Sequence, residues 1–417
     1  MENQHFSATA DRAAQFMELE DQYGAHNYHP LPVVLSRGEG VFVFDVDGRR
    51  YFDFLSAYSA VNQGHCHPHI IAALIAQAQK LTLTSRAFYN DQLGEYERFM
   101  CQTFGYDRLL PMNTGVEAGE TAIKLARRWG YDVKKVPANQ AKIIFAKGNF
   151  WGRTLGAISS STDPDAKNGF GPYMTGYELV EYDNLAELET ALQDPNVVAF
   201  MVEPIQGEAG VRVPAANYLP DAYALCKKNN VLFIADEVQT GIARTGAMVC
   251  CDHFGFKPDL LLLGKALSGG VLPVSAVLTS DEVMLNIKPG QHGSTFGGNP
   301  LACAVAKAAI EVVLEENLIE KSKKLGNIFR SELQSMATDR PDLVREVRGM
   351  GLLNAIEIND EEDSKRAWNL CVALKNAGIL AKPTHGNIIR FAPPLVITEV
   401  QLRQCCATIR SVIENFD

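Results

Sequence analysis

Nine cysteines occur in the 417 residues, but no two stand in a CxxC spacing, so neither a disulfide framework nor a zinc ribbon is written into the chain. A reducing compartment is the simpler reading. Positive charge is in deficit, with Lys+Arg at 39 against Asp+Glu at 49 and a net charge of −10, which disfavours nucleic acid and anionic membrane surfaces as partners. Long apolar runs are missing too. The nearest, Leu260 to Leu278, is broken by Gly264, Lys265, Gly269, Gly270 and Pro273, and falls short of the ~20 uninterrupted apolar residues a membrane span needs. The leading twenty residues, "MENQHFSATADRAAQFMELE", lack a basic region followed by an apolar one and contain four acidic residues. The expectation is a cytoplasmic protein, with the mitochondrial matrix as the alternative if a presequence precedes this sequence.

Two nucleotide motifs are absent as well. GxxxxGK[ST] ending at Lys265 would need glycine at 259 and Ser/Thr at 266, where Asp259 and Ala266 stand, and no GxGxxG follows a strand. "GHCHPH" gathers His65, Cys66, His67 and His69, yet no distant Cys/His pair or carboxylate completes a metal spacing, and no metal is expected.

What is present is an ordinary globular composition, 47% hydrophobic and 21% charged, at a length that suits two or three domains. Residues 1–60 contain a hairpin pattern, "GVFVFDVDGRRYFDF", with "DVDG" at its turn. Residues 61–300 alternate apolar runs ("AKIIFAKG", "VVAFMVEP", "VLFIADE", "DLLLLGK") with helical spacing, which predicts α/β architecture: a mostly parallel sheet covered by helices. Residues 301–417, opening with one long helical stretch from "LACAVAKAAIEVV" to "RSELQSM", read as a smaller α+β domain. Ligands of such sheets bind at the carboxyl ends of the strands. The polar residues closing the runs, Glu203, Asp236 with Glu237, and Lys265, are therefore expected to converge on one edge.

A lysine at a strand end among small residues suits either an ion pair or, with its pKa lowered by desolvation, a Schiff-base nucleophile. Asp236 suits a helix cap or the partner of a protonated ring nitrogen. The turn at Thr114, Gly115 and Val116, ahead of a helix opening with Glu117, and the turn "HGSTFGGNP" with Ser294 and Thr295 could together cradle a phosphate.

These stretches, with "NTGVEAGETAIKLAR", "GNFWGRTLGAISSS", "VEPIQGEAGV", "VLFIADEVQTG" and "HGSTFGGNPLA", resemble the class III pyridoxal-phosphate aminotransferases, and among them closely the ornithine aminotransferases, over nearly the whole chain. The resemblance implies a fold-type I transferase using pyridoxal 5'-phosphate. Lys265 would carry the cofactor and move a proton as base and acid, Asp236 would pair with the pyridine nitrogen, Gln239 with the ring hydroxyl, and Phe150 would stack on the ring. Gly115 and Val116 would offer N–H groups to the phosphate. Thr295 would reach the phosphate of a neighbouring subunit, which implies a homodimer with active sites at its interface. The substrates implied are L-ornithine, giving its δ-amino group, and 2-oxoglutarate. Arg153 would be a fixed carboxylate clamp and Arg390 a second one, masked by Glu208 while ornithine is bound. Tyr28 would hold the ornithine α-amino end, and Tyr58 would mark ornithine over 4-aminobutyrate. Alternatives are N-acetylornithine or 4-aminobutyrate as donor, a decarboxylase or aminomutase on the same fold, and a non-catalytic scaffold, which would be expected to have lost Lys265 or Asp236.

Overall fold

A computed structural model describes residues 12–417; residues 1–11, part of the leading segment read above for targeting signals, lie outside the described residues. The first strands are β1 (Leu35–Glu39), β2 (Phe42–Asp45) and β3 (Arg50–Asp53), antiparallel in sequence order. The turn joining β2 to β3 is tied by Asp45 Oδ1, which accepts from the N–H groups of Asp47 and Arg49 at 3.1 and 2.8 Å.

The central sheet contains β4 (Arg108–Met112), β5 (Lys142–Ala146), β6 (Tyr177–Val180), β7 (Val197–Val202), β8 (Leu232–Asp236), β9 (Leu260–Leu263) and β10 (Ser275–Thr279), in the order β4-β10-β9-β8-β7-β5-β6. Only β10 runs against its neighbours. Every residue of β7, β8 and β9 is buried, because helices cover both faces and leave no side of these strands in water.

The C-terminal strands are β11 (Val344–Met350), β12 (Leu353–Ile358), β13 (Ile379–Leu380), β14 (Lys382–Thr384) and β15 (Ile388–Phe391). Four of them form an antiparallel sheet, β11-β12-β15-β14, while β13 pairs in parallel with β3, so the chain's beginning and end share a sheet. The long helical stretch expected after residue 300 is corrected to two helices, Pro300–Glu315 and Leu318–Asp339. Asn317 separates them at φ 52°, a left-handed conformation that Asn tolerates better than most residues.

Arg244 ties these parts together. Fully buried, it donates to Asn62 Oδ1, Leu352 O and Pro393 O, so one guanidinium ties the loop after β8 to the stretch after β3 and to two points of the C-terminal unit. Phe54, Phe329 and Phe391 pack edge to face, with ring centroids 5.7 to 6.1 Å apart.

Candidate functional site

The parallel strands deliver their carboxyl ends to one edge of the sheet. β4 leads to Gly115, β5 to Phe150, β7 to Glu203, β8 ends at Asp236, and β9 leads through Gly264 to Lys265. Glu203 and Asp236 lie one position beyond the Val202–Ala235 pair of adjacent strands, which brings two buried carboxyls side by side. Glu237 does not join them. It turns the other way, accepting from Cys251 N at 2.8 Å and from the Thr240 hydroxyl, because successive side chains of a strand face opposite sides.

Lys265 is half-buried, and its backbone sits at φ 42°, a left-handed conformation that costs a non-glycine residue roughly 1–2 kcal/mol. Its Nζ has no hydrogen-bond partner among the described residues. Loss of water lowers its pKa, an effect that the neighbouring charge of Arg390 reinforces and those of Glu208, Asp236 and Glu203 oppose. Asp236 is raised to about 6, chiefly by burial; the Val238 N–H on its Oδ1 (3.1 Å) and the charge of Lys265 hold it from going further. Glu203 lies well above the usual carboxylate range, from burial first and then from the charge of Asp236. It accepts from the backbone N–H of Phe150 at 2.8 Å and so anchors the turn that carries that ring.

At the end of β4, Thr114 and Glu117 form a capping box. The Thr114 hydroxyl accepts from Glu117 N, and the Glu117 carboxylate accepts from the N–H groups of Thr114 and Asn113. The box leaves the N–H groups of Gly115 and Val116, the first two helical positions, without an acceptor among the described residues. Asn113 Nδ2 donates to Ser294 Oγ at 2.8 Å, which brings the second turn against the first. Thr295 in that turn is exposed. Val238 packs against both Gly115 and Gly264: a Cβ on either glycine would lie 3.1 Å from its Cγ1.

These groups fit pyridoxal phosphate by their own chemistry. An amine with no hydrogen-bond partner, a buried carboxylate whose Oδ2 is uncommitted, and free N–H donors at the positive end of the helix Gly115–Trp129 match an aldehyde, a ring nitrogen and a phosphate.

Farther out stand the residues expected to select substrates. Arg390, on β15, is fully buried, and its Nη1 donates to Glu208 Oε1 (3.0 Å) and Gln239 Oε1 (2.8 Å); its Nε and Nη2 have no partner. Burial opposes ionisation of Glu208, but the charges of Arg390 and Lys265 outweigh it and hold its pKa below the ordinary value. Gln239, expected on a ring hydroxyl, has both ends of its amide in this pair, since its Nε2 donates to Glu208 at 3.1 Å. Gly207 permits that approach, because a Cβ there would fall 1.7 Å from Gln239 Oε1.

Tyr58 lies with its ring centroid 4.6 Å from the Arg390 guanidinium carbon. Burial first, then the charge of Glu208, raises its pKa, and Arg390, Tyr28 and Arg153 also act on it, so all five expected substrate residues share one field. Tyr28 is 67% exposed. Arg153 is exposed and sits over the Phe150 ring at 5.5 Å. What the sequence did not signal is the turn carrying Tyr58. Ser56, Ala57, Tyr58 and Ser59 have φ of 48°, 45°, 60° and 70°, four successive left-handed residues with no glycine among them. At roughly 1–2 kcal/mol each such a turn persists only where its surroundings enforce it.

Among the described residues no group of three or more His, Cys, Asp or Glu could hold a metal ion. The histidines of "GHCHPH" pair with separate carboxylates, His65 with Asp53, His67 with Glu316 and His69 with Glu311.

The chain is similar to known proteins over nearly its whole length. Residues 23–413 match the family described as aminotransferase class-III. The chain is 63% identical over 407 residues to the mitochondrial ornithine aminotransferase of Drosophila melanogaster, covering 98% of this chain and 93% of that protein. It superposes with a TM-score of 0.95 on an ornithine aminotransferase from Toxoplasma gondii with partial occupancy of pyridoxal phosphate at the active site, at 50% identity, covering 97% of this chain and 94% of that one. The acetylornithine aminotransferase of Elizabethkingia anophelis is also similar, with TM-score 0.90 and 57% identity, covering 98% of this chain and all of that one.

Proposed function

This chain belongs to the class-III aminotransferase family, and on that premise we propose that its cleft moves the δ-amino group of L-ornithine to 2-oxoglutarate in two half-reactions, yielding glutamate 5-semialdehyde and glutamate. One observation carries the choice of substrates: a fully buried arginine, Arg390, is masked by a carboxylate, Glu208, while a second arginine, Arg153, stands open. Ornithine has one carboxylate and 2-oxoglutarate two. Arg153 therefore serves both substrates with its planar fork, and Arg390 serves the second carboxylate of the keto acid once Glu208 swings aside. During the ornithine half-reaction the Glu208–Arg390 pair keeps the second cation from attracting the wrong carboxylate.

Pyridoxal phosphate, when bound, supplies an electron sink for the amino-bearing carbon and a carrier for the amino group. The chain does the rest. Lys265 would hold the cofactor and, once displaced by substrate, would take the proton released at that carbon onto Nζ and give it back as the acid of the same half-reaction, a role its lowered pKa suits by favouring the neutral amine. Asp236 would hold the ring nitrogen protonated, and Glu203, which accepts from the Phe150 N–H, would keep that ring in place beside the cofactor. Gly115, Val116 and Ser294 would hold the phosphate. Tyr28 takes the α-amino end of ornithine at the mouth, and Tyr58 closes over Arg390.

We divide the chain into residues 1–60, 61–300 and 301–417, a division supported by the β3–β13 pairing, which joins the first part to the third. A homodimer with sites at its interface is supported by apolar surface around the second phosphate turn. Phe88, Tyr89 and Phe296 are exposed there, and a Cβ on Gly298 would touch both Arg86 and Leu93, so the two segments adjoin. Thr295 then faces the other subunit's phosphate. No described helix is long and apolar enough to cross a membrane. The location proposed is the cytoplasm, with the mitochondrial matrix as the alternative that the relatives' names favour.

N-acetylornithine is the competing donor, favoured by the Elizabethkingia likeness. The test is the first half-reaction alone: cofactor-loaded protein mixed with L-ornithine, N-acetylornithine or 4-aminobutyrate without keto acid, followed by cofactor absorbance. Reaction with ornithine alone supports the assignment. Equal reaction with the acetylated donor overturns it.

A further inference from the structure

Asp53 and His65 take no part in the chemistry above, yet they hold the most strained backbone of the substrate cleft. The carboxylate of Asp53 is divided between two tasks. Its Oδ1 accepts from Leu55 N and Ser56 N, both at 2.8 Å, at the entrance to the left-handed turn, and its Oδ2 pairs with His65 Nε2 at 2.8 Å. The pair is largely shielded, with side chains 10% and 21% exposed for Asp53 and His65. His65 is itself fixed by two backbone hydrogen bonds with Gly40, at 2.8 and 2.9 Å. Its ring also lies against Gly38, where a Cβ would come within 2.8 Å of it. The exit of the turn is closed by Ser56 O, which accepts from Ala60 N and Val61 N.

The same segment grips Arg390. Phe54, next to Asp53, accepts through its carbonyl from Ala392 N at 2.7 Å, two residues beyond Arg390. One short stretch of backbone thus sets both the strand carrying the guanidinium and the turn carrying the ring above it. Four consecutive left-handed residues have a nearby alternative in ordinary backbone regions, and releasing the entrance would let them take it.

We propose that Asp53 and His65 are positioning residues for substrate choice: they lock the left-handed turn Ser56–Ser59, so that Tyr58 covers Arg390 and the cleft prefers a donor with one carboxylate and an α-amine. This rests on the ornithine reading. With the lock open, Tyr58 leaves the guanidinium, which keeps only Glu208 and Gln239, and donors lacking the α-amine gain ground.

The experiment compares Asp53→Ala, His65→Ala and Asp53→Asn with wild type, all cofactor-loaded. Two readouts are taken: kcat/KM for ornithine relative to 4-aminobutyrate, and amide hydrogen exchange of residues 54–61. Asp53→Asn retains an oxygen for the two N–H groups and is the conservative control. Expected for the two alanine variants is a fall in the ornithine preference of about tenfold or more, carried mainly by KM for ornithine, with faster exchange in 54–61. Asp53→Asn stays within about threefold of wild type in both. Unchanged preference in Asp53→Ala, whatever its melting temperature or exchange, overturns the proposal, as does an Asn variant as impaired as the alanine. If wild type itself does not use ornithine, the substrate reading has failed instead. The ratio is then taken on the donor wild type does use, against the same criteria.

Discussion

Replacing Asp236 by Asn in the cofactor-stripped protein isolates the electrostatic cost of a buried carboxyl built to meet a cation. Burial raises its pKa from 3.8 to about 6. A carboxyl whose folded pKa is raised keeps its proton longer in the folded protein than in the unfolded chain, so its contribution to stability falls as pH rises from about 4 to about 6. The shift is about two units, which at 1.36 kcal/mol per unit gives a loss of roughly 3 kcal/mol, complete above pH 6. Asparagine cannot ionise. The difference between Asp236→Asn and wild type should therefore be small near pH 4 and grow to about 3 kcal/mol in favour of the variant by pH 7. Urea unfolding followed by tryptophan fluorescence at a series of pH values reads that difference directly. With pyridoxal phosphate restored the order should reverse, because the variant lacks the charge that holds the ring nitrogen protonated, and it should bind the cofactor more weakly. A difference that stays flat with pH would refute the reasoning.

Three further outcomes follow from the same geometry. Lys265→Ala should lower turnover by at least about a thousandfold, since it removes the amine that would carry the cofactor and move the proton, while far-ultraviolet circular dichroism stays unchanged. Glu208→Gln should let glutamate compete with ornithine in the first half-reaction, because the charge masking Arg390 is gone; a stopped-flow comparison of the two donors that shows the wild-type preference would remove the gate. Ala57→Gly should raise the unfolding free energy by about 0.5–1 kcal/mol, the left-handed cost relieved less the extra freedom of glycine in the unfolded chain, as measured by urea titration.

Much of this was legible in the chain. The apolar runs ending in Glu203, Asp236 and Lys265 marked buried parallel strands because both faces of such strands are covered, and their last residues fall at one edge for a purely topological reason. Glu237 was misplaced by the same logic: neighbours in a strand point to opposite faces, and only one of "DE" could enter the cleft. The break at Asn317 was hidden because "EENL" contains no glycine or proline, and the reversal depends on packing of the second helix. The left-handed turn at Tyr58 had no signature either. "SAYS" holds nothing that favours positive φ, and its conformation is imposed by Asp53 and by contacts distant in sequence. Nothing in the sequence marks Arg244, since only the folded chain brings the acceptors Asn62, Leu352 and Pro393 to it.

The pairing of β3 with β13 also sets a timetable for synthesis. Phe52 finds Ile379 as its partner, 327 residues later by subtraction (379 − 52). At translation rates of about 5–20 residues per second, that strand edge waits roughly 15–65 s for its neighbour, with its backbone N–H and C=O groups open to any passing strand. The nascent N-terminal hairpin is thus the part of this chain with most to gain from a chaperone. A chain ending before residue 379 has its central sheet complete, but it lacks the strand that carries Arg390, and β3 has no partner on that edge.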